Sequence, residues 1–390
     1  MKYVIIGNGP AGTFAAKEIR QRDSLSELII ISHDKYPFYS RPRLPEIISG
    51  RSSVGQLFIF PPEWYKKNKI HLRLESNVRK ILTAEKQVIL DDGENISYDR
   101  LLIATGSLPR RIPIKGGEGK NIFTLSSAND ALNLNSLAKK SKQAVIIGAG
   151  FVGIEAAAGI ASLGVRSTVI EFCDRILPRQ LDAEASNIIR PRLESLGISF
   201  MLNSIVEEIS DKERGKKIVI TKDGKTAAGD FVLIATGIIS NITLAEEGGI
   251  NCNRSIIVND KMETNINEIF AAGDSAEHNG VCYGIWHVSK EQGEIAGRNM
   301  AGETAFYHGS VPVTFLKIAK IDLASIGDVS SYSDTRVESI SDSGTCVFRK
   351  AFIKNGKLSG AVFIGDTKPA MRIKEFVGKD FALIKDFRNI

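Results

Sequence analysis

An α/β architecture in two duplicated parallel-sheet units, with a small α+β domain at the carboxy end, is what the sequence predicts, and three observations predict it. Gly7-Asn8-Gly9-Pro10-Ala11-Gly12 and Gly148-Ala149-Gly150-Phe151-Val152-Gly153 repeat one glycine spacing, each after an apolar run and ahead of a helix-like stretch. Leu101-Leu102-Ile103-Ala104-Thr105-Gly106 and Val232-Leu233-Ile234-Ala235-Thr236-Gly237 repeat a buried strand stopping at a small-residue turn. The two repeats keep step, with 97 residues from Gly7 to Ala104 and 87 from Gly148 to Ala235. One strand-turn-helix unit is therefore present twice. A dinucleotide pyrophosphate needs a tight turn, a bare backbone to approach and a helix amino terminus aimed at its charge, and three glycines at this spacing supply all three. The units read as Rossmann-like, and two nucleotides side by side mean electrons moving between them.

In chain order, Tyr3-Val4-Ile5-Ile6 has the continuous apolar character of a buried parallel strand, and Thr13-Phe14-Ala15-Ala16-Lys17-Glu18-Ile19 that of a helix packed on it. Residues 28–31 form the next strand, ending at Ser32, where an acid normally binds the ribose. That duty falls to Asp34 two residues on, or more weakly to Ser32. The segment 36–45, rich in aromatics and prolines, is too rigid and apolar for a free linker. In the second unit Ala144-Val145-Ile146-Ile147 and Ile154-Glu155-Ala156-Ala157-Ala158 repeat the strand and the helix. Ser167-Thr168-Val169-Ile170 then leads into Glu171, 18 positions after Gly153. A carboxylate there accepts from a ribose 2′-OH and repels a 2′-phosphate, which favours NADH over NADPH. Arg175 weakens that preference, unless it is spent on Glu171 or Asp174. Ile269-Phe270-Ala271-Ala272-Gly273-Asp274 sets an aspartate after a strand and a glycine, placed to accept from ligand hydroxyls. Strand-like runs at 313–318, 346–353 and 358–364, with an Asn355-Gly356 hairpin signal, make up the last domain.

Composition excludes several classes. With 43% hydrophobic and 25% charged residues, the 390-residue chain reads as globular with two or three cores. The opening apolar run breaks at Gly7 and Gly9, and 144–165 is interrupted by glycines and Glu155, so neither a signal peptide nor a membrane span is expected and a cytoplasmic location is. Cys173, Cys252, Cys282 and Cys346 lie far apart and read as small buried hydrophobes. The histidines, 33, 71, 278, 287 and 308, show no ligand spacing, so no metal is expected. The net charge of +6 is interleaved with acids, which argues against nucleic acid and suits docking of an acidic protein partner.

At this point the residues resemble a family. GNGPAG at 7–12, ATG at 104–106 and 235–237, GAGFVGIE at 148–155 and IFAAGD at 269–274 are similar to the motifs of FAD-dependent pyridine nucleotide-disulfide oxidoreductases of the glutathione reductase fold. The resemblance implies that Gly7, Gly9 and Gly12, with Pro10 and Ala11, bind the FAD pyrophosphate, and that Gly148, Gly150 and Gly153, with Val152, bind NADH. It places Asp274, after Gly273, on the flavin ribityl chain, and puts Arg41, Pro42, Val78, Ala104, Thr105, Gly106 and Trp286 on the FAD side, and Glu171, Ala235, Thr236 and Gly237 on the NADH side. Glu155 matches the family glutamate that reaches toward the nicotinamide. Its usual lysine partner is replaced, since the matching stretch reads Arg41-Pro42-Arg43-Leu44-Pro45-Glu46, and Arg43 is the candidate substitute. Phe151 resembles the side chain that covers the flavin until nicotinamide displaces it, with a plain core phenylalanine as the competing reading. The domains implied are FAD-binding (1–112 and 244–310), NAD-binding (113–243) and a small carboxy-terminal interface domain (311–390).

Disulfide reductases of this family carry CxxxxC after the second strand, and NADH oxidases and coenzyme A disulfide reductases one cysteine there, but 38–48 contains none. Without a thiol beside the flavin, electrons must leave to a carrier. The segment around Arg41-Pro42-Arg43-Leu44, Trp286 with Gln292-Gly293, and the short last domain look most like NADH:rubredoxin reductases, then like the FAD domain of nitrite reductases, although an intact nitrite reductase is not expected. The expected partner is rubredoxin, with ferredoxin second. Two alternatives stay open: an FAD- and NAD-binding subunit handing electrons to iron-sulfur subunits of an aldehyde or 2-oxoacid oxidoreductase, and a flavin-bound NADH sensor.

Overall fold

The two apolar strands that precede the glycine turns become the centres of two parallel sheets. In the computed structural model, which describes residues 1–212, 215–318, 321–330, 334–342, 347–384 and 387, Lys2–Ile6 lies between Glu27–Ile31 and Arg100–Ile103, flanked outside by His71–Arg73 and Ile269–Ala271. Gln143–Ile147 lies likewise between Arg166–Ile170 and Phe231–Ile234, flanked by Ile198–Met201 and Ile122–Phe123. Both central strands are buried at four successive positions, as a strand covered on both faces must be. Each sheet also carries a three-stranded antiparallel meander, Val78–Leu82, Gln87–Leu90 and Asn95–Ser97 in one case and Val206–Asp211, Lys217–Thr221 and Thr226–Gly229 in the other. The duplication thus reaches beyond the motifs.

The chain divides into two compact units. The first comprises Met1–Arg41, Ser53–Leu108 and Ile238–Ser310. Its helix Pro10–Arg22 packs along Trp286–Met300, and small residues allow the approach: a Cβ on Gly293 would stand 2.2 Å from the Ala11 carbonyl oxygen, and one on Gly297 2.5 Å from that of Ala15. A helix of 13 residues is marginal alone in water, so this packing is what holds it.

The second unit comprises Pro42–Ser52, Pro109–Gly237 and Val311–Ile390. Helix Leu44–Ile48, from the proline-rich segment, packs here on Ala128–Ala138 and Phe151–Ala161, where Asn135 Nδ2 donates to the Ile48 carbonyl at 2.7 Å. The last domain is an antiparallel sheet in the order Val313–Ile318, Ile321–Gly327, Lys357–Ile364, Val347–Lys354 and Thr335–Asp342, with helix Ala370–Lys374 closing its core. The Asn355-Gly356 turn has positive φ at both residues, 50° and 75°, as a tight hairpin between right-twisted strands requires.

Three cysteines depart from expectation: Cys173, Cys252 and Cys282 are only partly buried, Cys252 at the edge of the first unit's core, and Cys346 lies outside the described residues. Among the described residues no cluster of His, Cys, Asp or Glu is arranged to hold a metal, and no helix is long and apolar enough to cross a membrane.

Candidate functional site: two dinucleotide cradles

Each glycine turn is built by the same two close approaches. Gly7 has φ +115° and Gly148 φ +106°, and a Cβ there would stand 2.0 Å from the Ala104 carbonyl oxygen and 2.4 Å from that of Ala235. These alanines belong to the two Ala-Thr-Gly turns, which explains why the motifs travel together. Gly12 and Gly153 sit so close to the turn that a Cβ on either would lie 2.0 Å from the carbonyl of Gly7 or Gly148. The middle glycines behave oppositely. A Cβ on Gly9 or Gly150 would meet nothing within 4 Å, so the protein itself does not demand glycine there.

The backbone frame repeats as well. The amides of Gly7 and Gly148 donate to Ile31 and Ile170 at 2.8 Å, and those of Ala104 and Ala235 donate to Ile6 and Ile147 at 2.8 Å. Thr105 and Thr236 donate their hydroxyls to the carbonyls of Asn241 (2.7 Å) and Arg110 (2.9 Å). Gly106 and Gly237 accept from the amides of the same two residues at 2.9 Å.

The helices entered from these turns, Pro10–Arg22 and Phe151–Ala161, have glycine N-caps, no side-chain cap and no acid in the first turn. Helix Ala128–Ala138 is closed by a Ser127/Asp130 capping box and Ala183–Glu194 by Asp182. A side-chain cap contributes about 1 kcal/mol, and leaving it out keeps amide donors and the positive helix end free for an anion. Open space over the middle glycine and an uncapped helix fit a pyrophosphate in both units. Two buried nitrogens of the first unit, Asn8 Nδ2 and Trp286 Nε1, have no hydrogen-bond partner within the protein, which fits a polar ligand on that side.

Side chains distinguish the cradles. In the first, Asn8 accepts from the Thr13 hydroxyl and the Tyr65 hydroxyl, both at 3.0 Å, and locks the turn to its helix. Ser32 is buried and its Oγ accepts from the Asp34 amide at 3.2 Å, while Asp34 accepts from Tyr39 Oη at 2.7 Å and lies 3.9 Å from Arg41. Val78 packs part-buried against the core of this unit. The Asp274 carboxylate is gripped on both oxygens by the hydroxyls of Ser107 and Ser289, each at 2.9 Å, and Ser240 donates to its carbonyl at 2.6 Å. Gly273, with φ +85°, donates its amide to Gln292 Oε1 at 2.9 Å. Trp286 opens its helix stacked over Phe38, with ring centroids 6.5 Å apart and planes 10° apart, and edge-on to Phe14.

In the second cradle Glu171 is 7% exposed, and its oxygens accept from the amides of Ala149 (2.6 Å) and Cys173 (3.0 Å). Arg175 bonds to Asp174 at 2.7 Å. Phe151 starts the helix only partly buried, and Val152 beside it is 40% exposed. One turn on, burial first and the Glu46 carboxylate second lift the Glu155 pKa to about 8. Glu46 belongs to the same unit, as do Pro42 and Arg43. It is bound through both oxygens by Arg43, at 2.9 and 2.8 Å, and through one of them by Ser52 at 2.7 Å. The Arg43 fork first and burial second act in opposite senses on Glu46, and its pKa ends below the usual value.

Sequence reasoning did not single out Asn8, Tyr65, Ser107, Ser240 or Ser289. Ser107 carried a local signal, since it follows Gly106 directly, but the others meet their partners only through tertiary packing.

Comparison with known proteins agrees with this geometry. Residues 1–294 match the model of the pyridine nucleotide-disulphide oxidoreductases, and residues 312–380 match the rubredoxin NAD+ reductase C-terminal domain. The chain is 35% identical over 374 residues to the assimilatory nitrate reductase electron transfer subunit of Bacillus subtilis, covering 95% of this chain and 48% of that protein. It is 33% identical over 389 residues to the NADH-rubredoxin oxidoreductase of Clostridium acetobutylicum, covering 100% of this chain and 96% of that one. It thus spans about half the length of the Bacillus relatives and nearly all of the clostridial one. The crystal structure of the clostridial NADH:rubredoxin oxidoreductase superposes with a TM-score of 0.81 at 32% identity, over 100% of this chain and 97% of that one. Two cradles of one design, a family match over three quarters of the sequence and a full-length relative of the same fold lead to one conclusion: the chain belongs to the pyridine nucleotide-disulphide oxidoreductase family, which uses FAD and NADH.

Proposed function

We propose that this chain is an FAD-dependent oxidoreductase that takes hydride from NADH and passes electrons singly to a small iron protein, rubredoxin first and ferredoxin second. The observation that carries the reading is the duplicated cradle whose second copy alone ends its neighbouring strand in a buried carboxylate, Glu171. The full-length clostridial relative and the match at 312–380 support rubredoxin as the carrier. In this reading the FAD-binding domain is built on 1–112 with 244–310, the NAD-binding domain on 113–243 together with the segment 42–52 that packs there, and 311–390 is the interface domain, and the protein acts in the cytoplasm.

When bound, FAD supplies the conversion of an electron pair into single electrons. The protein's own residues do the rest. Gly7, Gly9 and Gly12, with Pro10 and Ala11, present the amides of the Pro10–Arg22 helix to the FAD pyrophosphate, and Asp274, its rotamer set by Ser107 and Ser289, accepts from the ribityl hydroxyls. Arg41, Val78, Ala104, Thr105, Gly106, Gly273 and Trp286 complete the FAD contacts, with Ser32 and Asp34 at the ribose. Gly148, Gly150, Val152 and Gly153 hold NADH, with Ala235, Thr236 and Gly237 behind the turn, and Glu171 accepts from its ribose hydroxyls. Glu155, with a pKa of about 8, carries its proton at neutral pH and presents a donor to the nicotinamide side. Phe151 guards the position that nicotinamide takes, and Arg43 neutralises the Glu46 carboxylate that has replaced the family lysine.

A second reading is favoured by the Bacillus relative, itself named an electron transfer subunit and twice the length matched here: the same two sites serving iron-sulfur partners within a larger oxidoreductase. Steady-state reduction of purified rubredoxin and ferredoxin by NADH decides between them. Turnover with free rubredoxin establishes the reductase, whereas flavin reduction by NADH without transfer to either carrier, and co-elution with iron-sulfur subunits from the native source, would sink it in favour of the subunit reading.

A further inference from the structure

We propose that Lys350, on the carboxy-terminal sheet, is a positioning residue for the nucleotide site around Glu171; the proposal rests on the reading of that site as the NADH cradle. The segment that follows Glu171 is stapled at both ends. At its start the Ala149 peptide is held twice, its amide donating to Glu171 at 2.6 Å and its carbonyl accepting from the Leu177 amide at 2.8 Å. Leu177 is fully buried and adopts φ +50°, a conformation a leucine keeps only under firm tertiary constraint. At its end Arg175 Nε donates to the Leu181 carbonyl (3.1 Å) and the Ile176 amide to Ser186 Oγ (3.1 Å), which ties the segment to helix Ala183–Glu194.

That helix is in turn held from the last domain. Asp182, its N-cap, accepts from the Ala185 amide through Oδ1 at 3.0 Å and faces Lys350 Nζ through Oδ2 at 2.6 Å, and the same ammonium donates to Glu184 Oε2 at 2.7 Å. The side chains of Lys350 and Asp182 are 8% and 11% exposed, so the pair sits largely out of water. Burial alone would lower the Lys350 pKa, but the hydrogen bonds it donates to Asp182 and Glu184 outweigh it and the ammonium stays charged. Taking away the cation leaves the largely buried Asp182 carboxylate without its counter-ion, beside a half-exposed Glu184, and a buried ion pair broken in this way is far more disruptive than an exposed one. The N-cap must then move, and the only covalent path from Asp182 back toward the cradle is the segment that ends on Glu171. The carboxy-terminal domain thereby takes part in nucleotide binding without touching the nucleotide.

The test compares full-length, FAD-loaded wild type with Lys350→Met, Lys350→Arg and Glu184→Gln. ADP-ribose and NAD+ binding by calorimetry, KM and kcat for NADH, and FAD per chain are measured for each. The expected result for Lys350→Met is ADP-ribose binding weakened about tenfold, within the usual range of coupling between sites, with KM for NADH raised in parallel, and kcat and FAD content held. Lys350→Arg restores binding to within about threefold, and Glu184→Gln, which keeps the Asp182 contact, weakens it about threefold. ADP-ribose binding unchanged in Lys350→Met, or FAD, kcat and KM failing together as in a loosened fold, overturns the proposal. If Lys350→Met does not fold, unaltered binding in Glu184→Gln overturns it alone. Failure of the wild type to bind ADP-ribose or NAD+ would instead contradict the reading of the site.

Discussion

The first and second cradles share their backbone contacts to within a few tenths of an ångström and share few of the side chains around them. Gly7, Gly12, Gly148 and Gly153 are each required by a carbonyl oxygen of the protein, whereas Gly9 and Gly150 are required by nothing in the protein at all. The side chains then diverge slot by slot. Asn8 in the first turn is matched by Ala149 in the second, and Ser32 at the strand end by Glu171. Phe14 and Glu155 both stand seven positions after the first glycine. Phe14 is 7% exposed among Phe38, Phe60 and Trp286, while Glu155 is a carboxyl beside a second carboxylate. In the proposed reading, the shared backbone geometry serves what both nucleotides have in common, the pyrophosphate. Side chains differ between the units, an aromatic nest in one and a buried carboxylate with a raised-pKa acid in the other, and in the proposed reading they serve what differs between the nucleotides.

The strongest way to break this comparison is at the outer glycines. Gly7→Ala and Gly148→Ala force a Cβ into a carbonyl at positive φ, so each should destabilise its unit by about 3–5 kcal/mol, read as a lowered Tm. Equal Tm in wild type and variants would mean the turns relax freely. Between about pH 4.5 and 8 a pH effect should arise in the second unit. Because the folded pKa of Glu155 is raised to about 8 from the ordinary glutamate value of 4.5, the folded state binds a proton that the unfolded state releases between these values. Stability should therefore fall as pH rises through that window and level off above it. Glu155→Gln removes the effect, and should exceed wild type in stability by on the order of 3 kcal/mol at pH 9, with little difference near pH 4.5. A constant gap across that range would show that Glu155 does not titrate there.

The middle glycines give the cleanest separation of the two sites. Gly9→Val should weaken FAD and Gly150→Val should weaken NADH by roughly 100-fold, on the order of 2–3 kcal/mol, each with Tm of the nucleotide-free protein almost unchanged. Loss of both nucleotides in either variant would contradict two independent cradles. Glu171→Ser, which copies the strand end of the first unit, should raise KM for NADH about tenfold and narrow the preference over NADPH, the size expected for losing charged hydrogen bonds; an unchanged NADH/NADPH ratio would remove Glu171 from the ribose. Smallest of all, Ser107→Ala or Ser289→Ala should weaken FAD about threefold by freeing the Asp274 rotamer, measured by flavin release on dilution.

These contrasts also show what a sequence reveals. The strand-turn-helix units and their Ala-Thr-Gly partners were legible because their glycines and small-residue turns recur as one pattern at closely matched intervals. Glu171 was legible for the same reason, as the first residue after a strand. The proline-rich segment was legible as packed, but not as a helix of the second unit, because its neighbours Ala128–Ala138 and Phe151–Ala161 are distant in sequence. The grip of Ser107 and Ser289 on Asp274, and of Lys350 on Asp182, could not be read at all: the partners lie 167, 15 and 168 residues apart, and nothing in their local sequence marks them. Cys173, Cys252 and Cys282 were misjudged because composition reports how often a residue type is buried, not where a particular one lies.

The most direct test is anaerobic stopped-flow mixing of the FAD-loaded protein with NADH and, separately, NADPH, followed by oxidised rubredoxin. The account predicts rapid bleaching of the flavin band by NADH, much slower bleaching by NADPH, and prompt recovery of the band with one rubredoxin reduced per electron. Bleaching by neither nucleotide, or equal bleaching by both with no recovery on adding rubredoxin, would contradict it.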